Sequence, residues 1–144
     1  MTTHLRTLAP VLAVLFLAAG AQRSDAQIIN EIKAHIDHSF VIGDKTLPPG
    51  DYMFRMTADP AQSIMIATNQ HGTNVAEFLV RQSIADHRPS HSELVFHKYG
   101  DAEFLSKVFQ SGSKNGVSVM ETSKQEARLA SQDQQPFEHT EEQK

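Results

Sequence analysis

Histidine carries most of the chemistry open to this sequence. Eight of its 144 residues are histidine and none is cysteine. Thiolate metal sites, thiol nucleophiles and disulfides are therefore excluded. Imidazole is left as the metal-ligating group, and it suits zinc, copper or nickel. Two pairs have short spacings: His35 and His38 in one alternating run, and His87 and His91 in one polar stretch around Pro89. Residues three apart on a strand point to opposite faces, so His35 and His38 do not chelate one ion. A spacing of four chelates from a helix, and Pro89 opposes a helix there. The spacings assign no metal ligand and no cofactor, and histidine-based metal binding stands as an alternative. Individually, His38 falls between Ile36 and Phe40 on an apolar face, and His97 shares a strand face with Tyr99. His38, His97 and Tyr99 are the candidate ligand-binding residues. The competing structural explanation makes His38 a rim imidazole bonded to backbone and His97 a cross-strand packing partner.

Catalytic constellations are missing from the pattern. Acid–base work needs two carboxylates placed together. Glu77, Glu93, Asp101 and Glu103 are available, and each falls on an expected outer face or turn. A serine nucleophile would want a G-x-S-x-G elbow. The nearest string, Gln110-Ser111-Gly112-Ser113, falls in a hairpin turn. No catalytic residue is assigned, and the chain is expected not to be an enzyme.

The elements that would position these residues begin behind an export signal. Arg6 supplies a basic start, and residues 8–20 form an apolar run too short to span a bilayer but suited to a signal peptide. Small residues offer cleavage after Ala21 or after Ala26, with the second favoured. Residues 1–26 therefore read as a signal peptide, and no later apolar run follows. The formal net charge is −4, with no basic stripe of the kind nucleic acid requires. The expected location is the periplasm or the exterior.

Residues 32–42 alternate with a period of two. Ile32, Ala34, Ile36, His38, Phe40 and Ile42 fall on one face, which predicts one long half-buried strand. A turn over 43–50 follows, with Pro48 and Pro49 unable to donate to a ladder. Strands are predicted at 51–57, 63–68, 73–80, 93–99, 102–109 and 117–120, with a polar loop over 81–92. Gly100-Asp101 is a two-residue hairpin signal. It sets Lys98 opposite Glu103, His97 opposite Phe104 and Phe96 opposite Leu105. Ser123-Lys124-Gln125-Glu126 is a capping box that opens a helix over 123–131, pinned by Leu129. The tail 132–144 is polar and acidic and reads as disordered. Residues 27–131 thus form a single domain. The predicted fold is all-β, an antiparallel β-sandwich or small β-barrel of about seven or eight strands with a short C-terminal helix. The aromatics Phe40, Tyr52, Phe54, Phe78, Phe96, Phe104 and Phe109 read as its core rather than as a cavity lining.

With these elements placed, Leu-Pro-Pro-Gly-Asp-Tyr at 47–52 and Phe-His-Lys-Tyr-Gly-Asp-Ala-Glu-Phe-Leu-Ser at 96–106 carry a likeness. The chain resembles a group of small exported bacterial proteins of uncharacterised function. The resemblance implies a secreted, mostly β domain and transfers no activity, cofactor or site. The functional expectation is a soluble, exported, non-catalytic binding or structural protein of the cell envelope or exterior, with an unknown protein or small-molecule partner. The alternatives are a β-barrel carrier of small apolar ligands and the histidine metal site.

Overall fold

The computed structural model describes residues 29, 31–59, 61–132 and 135–143. The expected signal peptide lies outside the described residues. In chain order the elements are β1 Ile32–Ile36, β2 Phe40–Ile42, β3 Lys45–Leu47, β4 Gly50–Met56, β5 Ile64–Asn69, β6 Asn74–Ile84, β7 Ser92–Tyr99, β8 Ala102–Phe109, β9 Asn115–Val119, helix α1 Lys124–Ala130 and β10 Phe137–Gln143. Among the described residues the fold is all-β with one short helix, as the alternation predicts. No helix among the described residues is long and apolar enough to cross a membrane.

The strands form one mixed sheet that curls on itself. Its path runs β1-β4-β5-β6-β9-β8, and β8 carries β7 and then β10. Because β7 pairs with β8 along its whole length, β9 and β2 must share the other edge of β8. There β9 takes Lys107–Phe109 and β2 takes Phe104, the latter in a parallel bridge from Val41. The end strands β1 and β10 meet at a seam, where the His35 backbone N–H donates to Gln143 Oε1 at 2.8 Å. The result is sandwich-like in its packing and barrel-like in its path.

The expected single strand over 32–42 is two strands. The β1–β4 ladder ends at Ile36 opposite Gly50. The next residues on that side are Pro49 and Pro48, which have no N–H to offer. The ladder stops, the chain bends through Asp37, His38 and Ser39, and β2 resumes against β3 and β8. The alternation survives the bend, so Ile36, Phe40 and Ile42 remain buried together. The expected turn over 43–50 contains β3, closed onto β2 by Gly43-Asp44, with Gly43 at φ 56.

Phe40 stands at the centre of the core. Its ring meets Tyr52 edge-on at 5.2 Å and Phe96 at 5.8 Å. Phe54, Met65, Leu94, Val80 and Val108 close around it. A second, smaller cluster lies on the outer face, where Val41, Tyr99 and Phe104 receive Leu129 of α1. Leu129 pins the helix as expected. Ser123 caps it, its hydroxyl accepting from the Glu126 N–H at 2.9 Å.

Three expectations need correction. The tail is not disordered over its described part: β10 pairs antiparallel with β7 at seven positions, from Phe137 opposite Lys98 to Gln143 opposite Ser92. The open edge of β7 needed a partner, and a polar strand can supply backbone groups as well as an apolar one. The loop over 81–92 is shorter, because β6 runs on to Ile84 and pairs Arg81–Ile84 with β9. Glu93 and Glu103, expected outside, are buried.

Gly116 lets β8 and β9 close. A Cβ there would press on the Phe109 ring and stand 2.5 Å from the Val108 carbonyl oxygen. That oxygen is backbone within the sheet and cannot swing away. Gly116→Ala is expected to destabilise the fold by about 1–3 kcal/mol, as overpacking does; urea denaturation that left the midpoint unchanged would contradict this packing.

Candidate functional site

Strand pairing decides which side chains converge. Residues directly opposite in an antiparallel pair project to the same face. Phe96 pairs with Leu105 and His139, and Leu94 with Val108 and Glu141. Phe96, Leu94, Leu105 and Val108 are core, so His139 and Glu141 face inward with them. Glu103, two residues from Leu105, continues the inner row. His38 continues the row of Ile36 and Phe40 across the bend. Four ionisable groups from three distant segments therefore meet at one end of the core.

Glu103 is the hub of this cluster, its side chain only 5% exposed. Its Oε1 accepts from Lys98 Nζ at 2.8 Å, and its Oε2 accepts from His139 Nδ1 at 2.9 Å. His38 Nε2 lies 2.9 Å from the same Oε2. On its other side, His38 Nδ1 is 3.1 Å from both Asp37 Oδ1 and Glu141 Oε1. The His38 ring also stands edge-on to Phe96 at 5.1 Å.

The two carboxyls titrate in opposite directions. Burial works to raise the Glu103 pKa, but the Lys98 and His139 hydrogen bonds and the nearby His38 outweigh it, so Glu103 is held below the ordinary glutamate value. Burial raises the Glu141 pKa above that value, opposed by His38 and His139 and aided by the negative charges of Asp37 and Glu103.

His38 holds one further feature. In the tautomer that carries its proton on Nδ1, toward Asp37 Oδ1, the neutral ring presents Nε2 as a lone pair. That atom is fully buried and makes no hydrogen bond, although a carboxylate oxygen faces it. Nε2 and Glu103 Oε2 face each other at 2.9 Å without a well-directed hydrogen bond. His38, Glu103 and His139 each offer one ligand atom, all within 4.8 Å of one another, and could hold a metal; Asp37, His38 and Glu141 form a second such set.

The other candidate residues lie elsewhere. His97 and Tyr99 point to the outer face, beneath α1, so the structure does not join them to His38. Tyr99 packs edge-on against Phe104 at 5.8 Å and serves the outer apolar cluster. His97 bridges two elements: its Nδ1 donates to Glu126 Oε1 at 2.7 Å, and its Nε2 accepts from the Ser106 hydroxyl at 3.0 Å. Ser106 is the extra residue of a β-bulge, since Val95 pairs with Lys107 while Phe96 pairs with Leu105. The bulge aims Ser106 outward at His97. The remaining histidines disperse: His35 pairs with Asp51 at the surface, His87 with Glu93 and His91 with Glu142.

A cavity of about 660 Å³ opens near the seam, lined by residues including Lys33, His35, Asp51, Tyr52, Gln70 and Glu142. His38, Glu103, His139 and Glu141 do not line it.

Glu103, His139 and Glu141 were missing from the sequence-based site. The signal for Glu103 was its place two residues from Leu105 in the predicted register. No local signal marks the tail, whose inward positions His139, Glu141 and Gln143 are polar. Comparison with protein-family models, curated proteins and solved structures finds no match.

Glu103→Gln should lower stability by roughly 1.5–3 kcal/mol near neutral pH, the range for hydrogen bonds to a charged group. A carboxyl held below its ordinary pKa stabilises the fold fully above that ordinary value and loses the contribution as pH falls through its own lowered one. Urea unfolding of both proteins in chelator-containing buffer, from about pH 7 down to about pH 2, should therefore show the gap closing on the acid side. A gap that widened as pH fell would contradict the hub role of Glu103.

Proposed function

We propose that this chain is an exported, non-catalytic binding protein of the cell envelope or exterior, and that its ligand is taken at the cluster of His38, Glu103, His139 and Glu141. Export is supported by the leader pattern of residues 1–26 and by the resemblance to small exported bacterial proteins. Binding rests on one observation: inner-face positions are given to ionisable groups, with His38 Nε2 left buried and unsatisfied. As a stability device this is inefficient, because apolar side chains of similar volume serve a core as well or better.

A second reading has an observation of its own. Ser106, His97 and Glu126 are connected as a nucleophile, a base and an orienting acid. That connectivity favours acyl transfer. Against it, Ser106 is 9% exposed, lies within a strand and sits under the helix that supplies Glu126. The network explains equally well how α1 is anchored to the sheet. An apolar carrier gains less support, since Phe40, Phe54, Phe96 and Met65 pack the space between the strands.

Binding is tested by a thermal-shift panel of metal salts, anions, fatty acids and sugars on the purified mature protein. At least one ligand should raise the melting temperature in the native chain and lose its effect in His38→Ala. A panel without any His38-dependent ligand would defeat the binding reading. Export is tested by mass spectrometry of the mature N-terminus, expected at Gln22 or Gln27. Retention of the whole leader would refute it. The non-catalytic reading expects no labelling of Ser106 by a fluorophosphonate; a Ser106 adduct that vanished in His97→Ala would establish the hydrolase instead.

A further inference from the structure

We infer that His38, Glu103 and His139 bind one divalent transition-metal ion of the zinc, nickel or copper class, through His38 Nε2, Glu103 Oε2 and His139 Nδ1. This rests on the binding reading above and names its ligand. Four observations support it.

The donor set comes first. Two imidazole nitrogens and one carboxylate oxygen lie within 4.8 Å of one another, on β8, on β10 and in the β1–β2 bend. Nitrogen donors select against magnesium and calcium, which want oxygen shells, and favour zinc, nickel and copper.

The tautomer comes second. Asp37 Oδ1 lies 3.1 Å from His38 Nδ1, placed to accept its hydrogen bond in the Nδ1–H tautomer. A metal-binding imidazole is held by a carboxylate on its far nitrogen in just this way, which orients the ring and strengthens its donor atom. The buried lone pair of Nε2 then faces a negatively charged oxygen across 2.9 Å. A cation between the two would be bound by both, and by His139 Nδ1 once the proton it shares with Oε2 is released.

Third is the division of labour on Glu103. Lys98 occupies Oε1 and leaves Oε2 to the two histidines. Lys98 thereby fixes the carboxylate's orientation.

Last, both nitrogen–oxygen distances are close to those around a bound ion. Zinc bonds of about 2.0–2.1 Å place tetrahedral ligand atoms about 3.3 Å apart, so each ring need withdraw from Glu103 by about 0.4 Å, with the two ring nitrogens, now within 4.8 Å, settling to the same spacing. The three protein ligands leave a fourth position for water. Phe96, edge-on to His38, walls the inner side.

The test uses the mature protein without a histidine tag. Equilibrium dialysis against zinc, nickel and copper salts should show uptake of one ion per chain. His38→Asn or His139→Asn should weaken it about tenfold or more, and the double variant should abolish it. His71→Asn and His87→Asn, both outside the site, should bind as the native protein does. Circular dichroism establishes that each variant is folded. A readout on the native chain removes dependence on the variants: zinc should shift the imidazole NMR resonances of His38 and His139 and leave those of His71 in place. Absence of stoichiometric uptake, or uptake that leaves the His38 and His139 resonances unmoved, overturns the metal site. If the thermal-shift panel still yields another His38-dependent ligand, the metal falls and the binding reading stands. If it yields none, both fall.

Discussion

A pair of missing backbone donors organises this molecule. Pro48 and Pro49 stand just beyond the last β1–β4 pair, Ile36 with Gly50, and neither has an N–H. The β1 ladder cannot continue past them. The chain is released for three residues and re-enters the sheet as β2, beside β8 rather than β4. That transfer lets one short run serve both walls of the core. Ile36 and Phe40 remain on one inner row, and the Phe40 ring reaches Tyr52 on β4 and Phe96 on β7 together. The transfer also leaves His38 in irregular backbone with its side chain still directed inward. A ladder-bound residue could not have turned its imidazole toward Asp37, Glu103 and Glu141 with the same freedom. The proline turn is a scaffold corner, and its consequence is the site.

The outer face of β7 and β8 follows from a second break in regularity. Between Leu105 and Val108 the inward positions are three apart rather than two, because Ser106 is inserted as a bulge. The insertion keeps both Leu105 and Val108 in the core and frees Ser106 to meet His97. Glu126 completes the chain of hydrogen bonds from α1. Ser123 forms its half of the expected capping box, but the Glu126 carboxylate leaves the box for His97. Helix packing therefore has an apolar component, Leu129 on Tyr99 and Phe104, and a polar one through His97. Seven residues make too short a helix to persist alone in water, so this docking accounts for its existence.

Local signals were legible in the sequence and partnerships across the chain were not. Gly100-Asp101 predicted the β7–β8 register, and Lys98–Glu103, His97–Phe104 and Phe96–Leu105 all pair as expected. That same register already placed Glu103 inward beside Leu105. Reading it as solvated because it is a glutamate let residue type override alternation, and alternation was right. The tail failed for a different reason. Hydrophobic periodicity detects a strand by its apolar face, and β10 turns His139, Glu141 and Gln143 to the inside. Nothing local marks such a strand; it is required by the open edge of β7, which sequence reading does not see. The outer half of β6 was missed likewise, since Arg81, Gln82 and Ser83 look like loop until β9 pairs with them. His38 interrupts an apolar face in the sequence, and the interruption is where the ionisable cluster gathers.

The placement of His139 ties the proposed binding site to the integrity of the sheet. On its inner face β10 offers His139, Glu141 and Gln143 where neighbouring strands offer Leu94, Phe96 and Leu105. Its backbone ladder to β7 is ordinary, but its inward attachment is made by charge and hydrogen bonds, with Glu103 at the centre and Gln143 bonding β1 across the seam. Such an attachment is strong when every charge is matched and weak when one is not, because a buried unmatched charge loses its water without gaining a partner. A cation held as proposed between His38 Nε2 and Glu103 Oε2 would also touch His139, and so would bind the docked state of β10 in preference to the undocked one. By linkage, binding must then tighten β10 onto β7 and close the seam with β1. The polar inner face that hid this strand from sequence reading is thus the feature that couples its docking to whatever occupies the site.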